Sequence, residues 1–529
     1  MQRQLKFKYR SEDEEVKEAG LYLDFDEIAK KGSLTKEEGM ISKWYGIYGT
    51  RLPGNYMARI VVPGGVITAA QGRVIADVSE KYAQGKVSVT TRQSIQLHWL
   101  KAAKLADLIR ELRKENLSTF HGCGDVTRNV TACPLAETCQ YRRINVRSFA
   151  KKCAKYLTDA RDLDNLPRKF KVNWSGCEAD CAQPYINCIG ISAVKRQIKD
   201  KKTEDHEIGF KVVIGGGMGW KPFVAQELFT FVPEDQIIPL TRAIAIFFRD
   251  NGDRYNRSRA RLKFVINRLG VEKSRKEILK IMKSENMNTG GLETKAFAKT
   301  GPEFPARPLT DNHNLDSRGK GILRIRIPKG EMDFKILKTI SAFSELYADQ
   351  RIYTTNRQNL ELHGIEPEKM DTVRKEIEAL GVSTDSFFGL KDIVSCVGTT
   401  YCPKAVSKTR DLFDALYPIV SRSKYKSIHD QAIINITGCP NSCSPYRIAD
   451  LGFRGMRIRE ESGSVEGYEM LIGGTQEDFG RLLGQFKLTD CPKIVEKVLD
   501  KFIDLQQNKE TLSDCVKRVG VKSFQEVIE

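Results

Sequence analysis

The chain repeats its own pattern at a fixed distance. A strand-like segment, a helix-like segment, an Arg-Gln pair and a strand that ends in His occur in both halves in the same order. The matching positions lie 265 residues apart: Arg59 and Arg324, Pro63 and Pro328, Arg92 and Arg357, and His98 and His363. A register that holds over about forty residues indicates a tandem duplication of about half the chain.

Each copy predicts the same small α/β unit. Alternating β-branched residues predict strands, and Val74, Val78 and Tyr82 lie on one face of the helix between them. A charged helix follows at 105–116 in the first copy and at 368–380 in the second. The resulting βαββα order predicts helices packed on an antiparallel sheet.

Eight of the 13 cysteines repeat as well, since each half carries one C-x5-C pair and one C-x3-C pair. We define the N-terminal quartet as Cys133, Cys139, Cys177 and Cys181, and the C-terminal quartet as Cys396, Cys402, Cys439 and Cys443. Matching cysteines lie 262 or 263 residues apart, so the quartets belong to the duplication. The others are predicted to be small buried hydrophobic residues: Cys123, Cys153, Cys188, Cys491 and Cys515.

Four thiolates from two short loops can bind a zinc ion or an iron–sulfur cluster. Zinc ribbons and fingers usually use C-x2-C pairs, and this sequence contains none. A [4Fe–4S] cluster is wider than one zinc ion and accepts wider spacings. Gly438 and Pro440 beside Cys439 favour a turn around a ligand. The alternative, core cysteines near loops, does not predict two quartets in equal register.

The composition is that of a globular protein with an excess of positive charge. The 529 residues include 86 Lys and Arg against 68 Asp and Glu, a formal net charge of +18. This favours anionic partners or ligands: nucleic acid, an acidic protein or a polyanionic cofactor. No apolar run approaches the ~18 residues of a spanning helix, and the polar, basic start predicts no signal peptide. We therefore expect no membrane association and a cytoplasmic location, where thiols stay reduced.

Basic residues recur beside the predicted strand ends. Arg59, Arg92 and Arg128 lie at such positions in the first half. In the Lys-Phe-Lys segment, strand alternation places Lys169 and Lys171 on one face, where their charges repel unless an anion lies between them. A solvated basic face is the alternative for the two lysines. For Arg92, which recurs in both halves, a ligand-binding or structural role is favoured.

Together these residues resemble the siroheme-dependent sulfite and nitrite reductases, from about Tyr45 to about Leu499. The most specific match is the C-terminal quartet with its Thr-Gly-Cys-Pro-Asn-Ser-Cys segment at 437–443. The resemblance implies that this quartet binds a [4Fe–4S] cluster and that Cys443 bridges it to the siroheme iron. Further matching segments are 62–68, 91–93, 128–130 and 166–171.

The same resemblance implies an anion site and a set of cofactor contacts. It places sulfite on Arg59, Arg128, Lys169 and Lys171. Siroheme carries eight carboxylates, so its pocket needs Arg, Lys and backbone N–H groups, and the glycine run at 214–219 has a repeat partner at 471–474. The expected siroheme contacts are Arg92, Gln93, Gln96, Arg168, Gly215, Gly216, Gly217, Arg357, Asn441 and Cys443.

The implied reaction is the six-electron reduction of sulfite to sulfide. The cations would hold the anion and stabilise departing oxygen atoms, while lysines and water deliver protons. We find no convincing nicotinamide or flavin motif, so we expect electrons from a separate acidic protein such as a ferredoxin or a flavoprotein. Reduction of nitrite to ammonia at the same site is the alternative, since both anions suit the same cations.

The predicted fold is α/β (α+β) with internal pseudo-twofold symmetry. Two ferredoxin-like half-domains pack together as one domain, and two siroheme/[4Fe–4S] domains hold the cofactors at their junction. The expected segments are a wrapping extension at 1–44, half-domains at 45–119 and 301–385, siroheme/[4Fe–4S] domains at 120–300 and 386–490, and a helical tail at 491–529. The oligomeric state stays open.

The N-terminal quartet departs from the family's single-chain assimilatory enzymes, which usually keep only the C-terminal one. Dissimilatory enzymes carry one quartet in each of two homologous subunits, but their inserted ferredoxin domain is missing here. Pseudo-symmetry maps Arg59, Arg128, Lys169 and Lys171 onto Arg324, Lys391, Gln431 and Ile433, so a mirror site has lost two cations. We expect one catalytic site and a second cluster, structural or electron-relaying, with or without a non-catalytic tetrapyrrole.

Two other classes of protein fit part of the sequence. A nucleic-acid-binding iron–sulfur protein needs basic residues clustered with exposed aromatics. Here the charges lie beside repeated strands, so we expect no nucleic-acid binding. A non-catalytic carrier with two clusters does not need the four anion-binding cations. The choice between assimilation, dissimilation and detoxification stays open.

Overall fold

The computed structural model describes residues 12–197, 206–297, 314–461 and 463–528. It begins with three short helices: α1 (Glu12–Ala19), α2 (Phe25–Lys31) and α3 (Lys36–Ile41). Phe25 packs edge-on against Tyr45 of the first half-domain, with 5.2 Å between ring centroids. Glu14 pairs with Arg254 of the following domain at 3.0 Å. The described part of the predicted extension therefore contacts two neighbouring units.

The first half-domain contains the predicted βαββα series and two additional short strands. Its elements are β1 (Ile47–Gly49), β2 (Tyr56–Ile60), β3 (Val66–Thr68), α4 (Ala69–Tyr82), β4 (Lys86–Val89), β5 (Ile95–Leu100) and α5 (Leu105–Lys114). Thr68 and Gln71 form a capping box that fixes the start of α4. The helix therefore begins where the polar turn residues end.

The next domain combines a mixed sheet with four helices. Its elements are β6 (Thr131–Ala132), α6 (Val146–Asp159), β7 (Val172–Ser175), β8 (Ile189–Gln197), β9 (His206–Ile214), β10 (Gln226–Val232), α7 (Ile237–Asn251), α8 (Leu262–Leu269) and α9 (Val271–Ser284). The first three strands are parallel and the last two are antiparallel. All four residues of β7 are buried, as expected for a central strand covered on both faces.

The second half of the chain repeats this architecture. Its half-domain contains β11 (Gly321–Ile325), β12 (Glu331–Asp333), α10 (Phe334–Tyr347), β13 (Arg351–Thr354), β14 (Leu360–Ile365) and α11 (Met370–Glu378). The last domain contains β15 (Val394–Ser395), α12 (Gly398–Tyr401), α13 (Thr409–Val420), β16 (Ile434–Thr437), β17 (Leu451–Glu460), β18 (Gly463–Ile472), β19 (Arg481–Lys487), α14 (Cys491–Leu505), α15 (Leu512–Val519) and α16 (Lys522–Gln525). The sheet order β15-β16-β17-β18-β19 matches β6-β7-β8-β9-β10.

The two half-domains exchange short strands, which the sequence did not predict. Strand β3 pairs with β13 of the second half, with Val66 opposite Tyr353. Strand β12 pairs in turn with β4 of the first half, with Glu331 opposite Ser88. Three-residue strands carry too little alternation to reveal their partners, so only the structure identifies the exchange.

Three large apolar cores support the described part of the chain. One is shared by both half-domains and joins residues such as Ile60 and Leu97 to Leu323 and Ile352. This confirms that the half-domains pack together. Each of the other two sheets has its own core, and the C-terminal helix α14 contributes Val498 to the last one.

The described residues also bear on membrane insertion and on the domain limits. None of the helices in the described ranges combines the length and the apolar character that crossing a lipid bilayer requires. The predicted boundary between residues 300 and 301 lies outside the described residues. The other predicted boundaries stay predictions.

Candidate active site

The C-terminal quartet lies where two parallel strands end. Strands β15 and β16 are parallel neighbours, and Cys396 and Cys439 follow them closely in sequence. Because the carboxyl ends of parallel strands meet at one edge of a sheet, the two cysteine loops come together there. The backbone N–H of Gly438 donates to the Cys396 Sγ at 3.1 Å. The local fold thus orients one thiol before any ligand is considered.

The N-terminal quartet is built in the same way. Cys133 follows β6 and Cys177 follows β7, which are again parallel neighbours. Burial raises the pKa of the Cys133 thiol to about 11, and a hydrogen bond from the backbone of Gly176 opposes that rise. Gly176 is therefore the counterpart of Gly438 in the other quartet.

The thiols of each quartet are close enough to interact electrostatically. Burial raises the pKa of the Cys181 thiol well above its usual value, and the other three thiols of its quartet raise it further. Burial raises the pKa of the Cys396 thiol to about 12, and Cys443 contributes to the rise. Burial also raises the pKa of Cys439, followed by contributions from Cys443 and Cys402. Both quartets are therefore sets of four converging thiols.

Four thiols that come together from two loops can bind an iron–sulfur cluster. Within the described ranges, no three Cys, His, Asp or Glu side chains lie close enough together to hold one metal ion. A [4Fe–4S] cluster keeps its four ligands apart by its own width, and iron stabilises thiolates that burial disfavours. Both quartets fit a cluster of this kind.

The four predicted anion-binding residues lie near one another and near the C-terminal quartet. Burial lowers the pKa of Lys169 to about 7, and among its neighbours Arg261 and Arg128 lower it while Cys443 raises it. We define the cationic cluster as Arg59, Arg92, Arg128, Lys169, Lys171, Arg261 and Lys263. Its members come from the first half of the chain, whereas Cys443 comes from the second.

Arg59 and Arg128 are held by the loop that follows the first half-domain. Arg59 donates to the carbonyl of Gly122 at 2.9 Å, and Arg128 donates to the same carbonyl. With its amide oxygen turned towards Arg59, Gln96 accepts from Nε at 3.0 Å and from Nη2 at 2.6 Å. Neither arginine is neutralised by these bonds, since every acceptor is uncharged.

The two lysines lie deep between other cations. Each keeps some surface open to solvent, although protein surrounds it on most sides. Burial lowers the pKa of Lys171 well below its usual value, and Arg92 and Lys169 lower it further. An anion between these groups would relieve the mutual repulsion.

Arg92 is fixed at the junction of the half-domain and the first mixed sheet. Its guanidinium donates to the amide oxygens of Asn173 at 3.0 Å and Asn187 at 3.1 Å, and to the carbonyl of Val172 at 3.0 Å. Burial, assisted by the charge of Arg128, lowers the pKa of Arg92 to about 9. All three of these hydrogen-bond partners are uncharged, so they leave the positive charge of Arg92 unneutralised.

The loop that carries Arg92 also contacts the C-terminal quartet directly. The Thr91 hydroxyl donates to the carbonyl of Cys443 at 2.8 Å. In the other half, the Asn356 amide donates to the carbonyl of Cys181 at the same distance. Each half-domain therefore supports the quartet of the opposite half.

The predicted glycine run forms a tight turn near these residues. Gly215 has a φ of +87°, and a Cβ on Gly216 would lie only 2.3 Å from the carbonyl of Tyr185. A Cβ on Gly474 would lie equally close to the carbonyl of Arg447, so the repeat partner makes the same turn. Gly217 continues the run beside Lys263, since its Cβ would lie 3.1 Å from that side chain.

Two basic residues near this turn, Arg261 and Lys263, were missed by the sequence reasoning. Arg261 donates to the Cys188 Sγ at 3.3 Å, and Lys263 donates to the carbonyl of Trp220 at 3.0 Å. Burial, with the charges of Arg261 and Arg447, lowers the pKa of Lys263 to about 7. The available signal was the basic run at 257–263, which leads into α8. Cations are unfavourable at a helix N-terminus unless something anionic offsets them.

The remaining predicted contacts have other partners in this structure. Gln93 is buried and donates to the carbonyls of Ala132 at 2.8 Å and Thr354 at 2.9 Å. Arg168 pairs with Asp125 at 3.3 Å, and Arg357 pairs with Asp392 at 2.5 Å. Asn441 forms a hydrogen bond with the Cys439 thiol. Arg357 belongs to the second half, and its guanidinium is paired with a carboxylate of that half. Siroheme contact by these four residues stays a prediction.

The cationic cluster has the properties that a polycarboxylate ligand requires. In the described part of the chain, the Nε–H groups of Arg92, Arg128 and Arg261 are buried without a hydrogen-bond partner. Buried polar groups without partners are costly, and buried cations more so. A cofactor with many carboxylates would accept hydrogen bonds from these N–H groups and would balance the buried positive charges. The residues present therefore fit siroheme beside the C-terminal quartet.

Comparison with known families agrees with this geometry. The family described as nitrite and sulphite reductase 4Fe-4S domain matches residues 123–285 and 389–529. The family described as nitrite/sulfite reductase ferredoxin-like half domain matches residues 50–115 and 316–380. These matches follow the duplication and confirm the predicted fold, with two half-domains and two 4Fe-4S domains.

Individual relatives are similar over nearly the whole chain. Sulfite reductase [ferredoxin] 2 of Mycolicibacterium paratuberculosis is 28% identical over 96% of this chain and 94% of its own. Ferredoxin–nitrite reductase of Oryza sativa is 27% identical over 87% of this chain and 77% of its own. A solved structure of the NirA protein of Mycobacterium tuberculosis matches with a TM-score of 0.85 and 25% identity, covering 97% of each chain. The chain belongs to the nitrite and sulphite reductase family.

Proposed function

We propose that this protein reduces sulfite to sulfide at a siroheme coupled to a [4Fe–4S] cluster. The reaction consumes six electrons and six protons and releases three waters. The observation that carries the proposal is the position of the cationic cluster beside the C-terminal quartet, where Thr91, next to Arg92, donates to the carbonyl of Cys443 at 2.8 Å. That arrangement provides anion-binding residues on one side and a cluster-binding thiol on the other.

The proposed ligands of the cluster are the C-terminal quartet: Cys396, Cys402, Cys439 and Cys443. Siroheme, when bound, supplies the iron at which bonds between sulfur and oxygen are cleaved. Arg92, Arg261 and Lys263 would bind its carboxylates, since none of them faces a carboxylate of the chain in the bonds described above. The glycine turn at Gly216 brings backbone close to that position.

Four residues would hold the substrate: Arg59, Arg128, Lys169 and Lys171. Their guanidinium and ammonium groups offer fixed positive charge to a dianion and to the oxygen atoms that leave as water. An ammonium whose pKa is lowered towards neutrality, as for Lys169, releases a proton more readily than an ordinary lysine. Gln96 would keep Arg59 oriented without neutralising it.

The electron donor we propose is an acidic protein of the ferredoxin type, with a flavoprotein as the alternative. The net charge of +18 favours such a partner, and several relatives are named as ferredoxin-dependent. We also propose a cytoplasmic location. All 13 cysteines are free thiols, as expected in a reducing compartment.

Nitrite is the second candidate substrate. The specific support is the similarity to enzymes named ferredoxin–nitrite reductase from Oryza sativa and Zea mays, both at 27% identity. Sulfite is preferred because the relative with 28% identity and 96% coverage is named a sulfite reductase. A set of cations binds either anion, so the chain's own residues do not separate them.

The deciding experiment combines spectroscopy with turnover. Protein purified without oxygen from a host that makes siroheme should show a Soret band and the red band of an isobacteriochlorin. With a chemical reductant such as reduced methyl viologen, sulfite and nitrite are then compared by kcat/KM, with sulfide and ammonia measured as products. A larger kcat/KM for sulfite supports the proposal, and a larger value for nitrite replaces it by the second candidate. An iron–sulfur spectrum without the red band would overturn both.

A further inference from the structure

We infer that the N-terminal quartet binds a second [4Fe–4S] cluster and that no tetrapyrrole lies beside it. This goes beyond the proposed function, which uses only the C-terminal quartet. It rests on two independent observations. The ligand loops of the two quartets are built alike, whereas the residues facing them differ in charge and in bulk.

The ligand loops of the N-terminal quartet are preorganised for a cluster. Cys133 and Cys177 lie at the ends of parallel strands, as Cys396 and Cys439 do in the other half. The backbone N–H of Tyr141 donates to the Cys139 Sγ at 3.4 Å. Backbone N–H groups directed at sulfur stabilise thiolates. A cluster ligand is a thiolate, so this hydrogen bond suits Cys139 to that role.

The loops are also supported from outside in the same manner. Asn356 contacts the carbonyl of Cys181 as Thr91 contacts that of Cys443. Arg142 donates to the carbonyl of Cys139 at 3.0 Å. A merely apolar core would not need polar anchors on each cysteine loop.

The residues facing this quartet differ from the cationic cluster. We define the mirror cluster by position, as the equivalents of Arg59, Arg92, Gln96, Asp125, Arg128, Asn129, Lys169 and Lys171. In that order they are Arg324, Arg357, Glu361, Phe388, Lys391, Asp392, Gln431 and Ile433. Arg324 pairs with Glu361 at 3.3 Å, and both side chains are at most 3% exposed. The equivalent pair in the first half is Arg59 with the neutral Gln96. The mirror arginine is therefore already balanced by a carboxylate of the chain.

A second arginine is balanced in the same way. Arg357 pairs with Asp392 at 2.5 Å, again with both side chains at most 3% exposed. Asp392 lies 263 residues after Asn129, which donates only to backbone carbonyls, including that of Arg92. A carboxylate thus replaces an amide at the position that determines whether this arginine is available to a ligand.

The other cations of the set are paired or replaced. Lys391 lies 3.4 Å from the carboxylate of Asp385. Gln431 and Ile433 stand in place of the two lysines. Ser513, the second residue of α15, stands in place of Lys263, the second residue of α8. The mirror cluster therefore offers little unbalanced positive charge to a ligand with eight carboxylates.

Bulk also differs between the two sites. Phe388 packs with Leu135 and Ile322 beside Cys139 and Cys181. The residues at the equivalent positions of the catalytic side are Asp125, Gly398 and Met57. Two of the three replacements add branched or aromatic carbon, and all three are apolar next to the quartet. Charge and volume thus both disfavour a tetrapyrrole here.

Iron analysis of the holoenzyme tests the cluster. Two clusters and one siroheme require about nine iron atoms per chain, and a single cluster requires about five. We expect about nine in the wild type and about five in Cys177→Ser. The matched change in the other quartet is Cys439→Ser, and Cys153→Ala controls for loss of a buried thiol outside both quartets. About five iron atoms in the wild type would overturn the inference.

A second measurement does not depend on the folding of a variant. Wild-type enzyme reduced with dithionite should show an EPR signal from a [4Fe–4S] cluster that is unchanged when cyanide binds the siroheme. A cluster signal that changes entirely with cyanide would contradict an uncoupled second cluster. Extraction should give one siroheme per chain, and two would overturn the second part of the inference.

The outcomes separate this inference from the proposed function. About eight iron atoms with no siroheme would refute the proposed function and leave the second cluster standing. About five iron atoms with one siroheme would refute the second cluster and leave the proposed function standing.

Discussion

The cationic cluster and the mirror cluster occupy equivalent positions of a duplicated backbone, yet their arginines have opposite surroundings. In the first half, Arg59 faces Gln96, whereas in the second half Arg324 faces Glu361. Arg92 lies beside Asn129, whereas Arg357 pairs with Asp392. For each of these two arginine positions, the first half has an amide where the second half has a carboxylate.

This difference shows how one fold can keep a costly site and close its duplicate. A buried cation without a carboxylate destabilises the free protein, because its desolvation is not offset. Such a residue is sustained where a bound anion offsets that cost. The mirror cluster offsets it internally, so its arginines stabilise the structure without a ligand. The contrast yields predictions in which a residue of one side is placed on the other.

The largest effect is expected from Lys171→Ile, which gives the catalytic side the residue of the mirror side. The variant removes one cation from the proposed sulfite site, so kcat/KM for sulfite should fall by about 10²–10³. Steady-state kinetics on siroheme-loaded enzyme measure this. Ile433→Lys is the matched control and should leave kcat/KM unchanged. A fall of less than twofold in Lys171→Ile would show that the two sides do not differ in catalytic role.

The next effect concerns stability on the mirror side. Asp392→Asn recreates the amide of the catalytic side and leaves Arg357 buried without its carboxylate. Breaking a buried pair by removing one partner should lower the free energy of unfolding by about 3 kcal/mol. The thermal unfolding midpoint reports this, with Asp411→Asn as control because that carboxylate is 57% exposed and its partner Lys408 is 61% exposed. Equal midpoints for both variants would contradict the view that the mirror pair is structural.

A smaller effect is expected from Gln96→Glu, which places the mirror carboxylate beside Arg59. The new charge would neutralise Arg59 while keeping a hydrogen-bond acceptor. We expect KM for sulfite to rise about tenfold, equivalent to about 1.4 kcal/mol. Gln96→Met separates the two contributions, since it removes the hydrogen bond without adding charge. If Gln96→Met raised KM as much as Gln96→Glu, orientation of Arg59 and not its charge would be what matters.

Much of this architecture could be predicted from the sequence because the duplication is long and regular. The constant register of Arg92 with Arg357 predicted two equivalent half-domains, and the structure and family matches confirm them. The spacing of the cysteines placed Cys396 and Cys439 on neighbouring loops. These features depend on local patterns that survive in a single chain.

Other features could not be predicted, since they depend on contacts across the duplication. The exchange of β3 and β12 involves strands of three residues, which carry no usable periodicity. The roles of Glu361 and Asp392 required knowing which arginine each one faces. Lys263 was missed because its cationic surroundings are assembled from distant segments, although the basic run before α8 was visible.

The smallest effect should come from ion pairs that lie on the surface where the half-domains meet. Lys338 of α10 pairs with Asp77 at 2.8 Å, and Arg73 of α4 pairs with Glu345 at 2.5 Å, all at least 36% exposed. Asp77→Asn and Glu345→Gln should each shift the unfolding midpoint by about 1 °C or less, because water and salt screen exposed charges. The shift should vanish in about 1 M salt. The contrast between the two sides depends on where a charge lies and not on how many pairs form. If Asp77→Asn shifted the unfolding midpoint as much as Asp392→Asn, burial could not explain the difference between the cationic cluster and the mirror cluster.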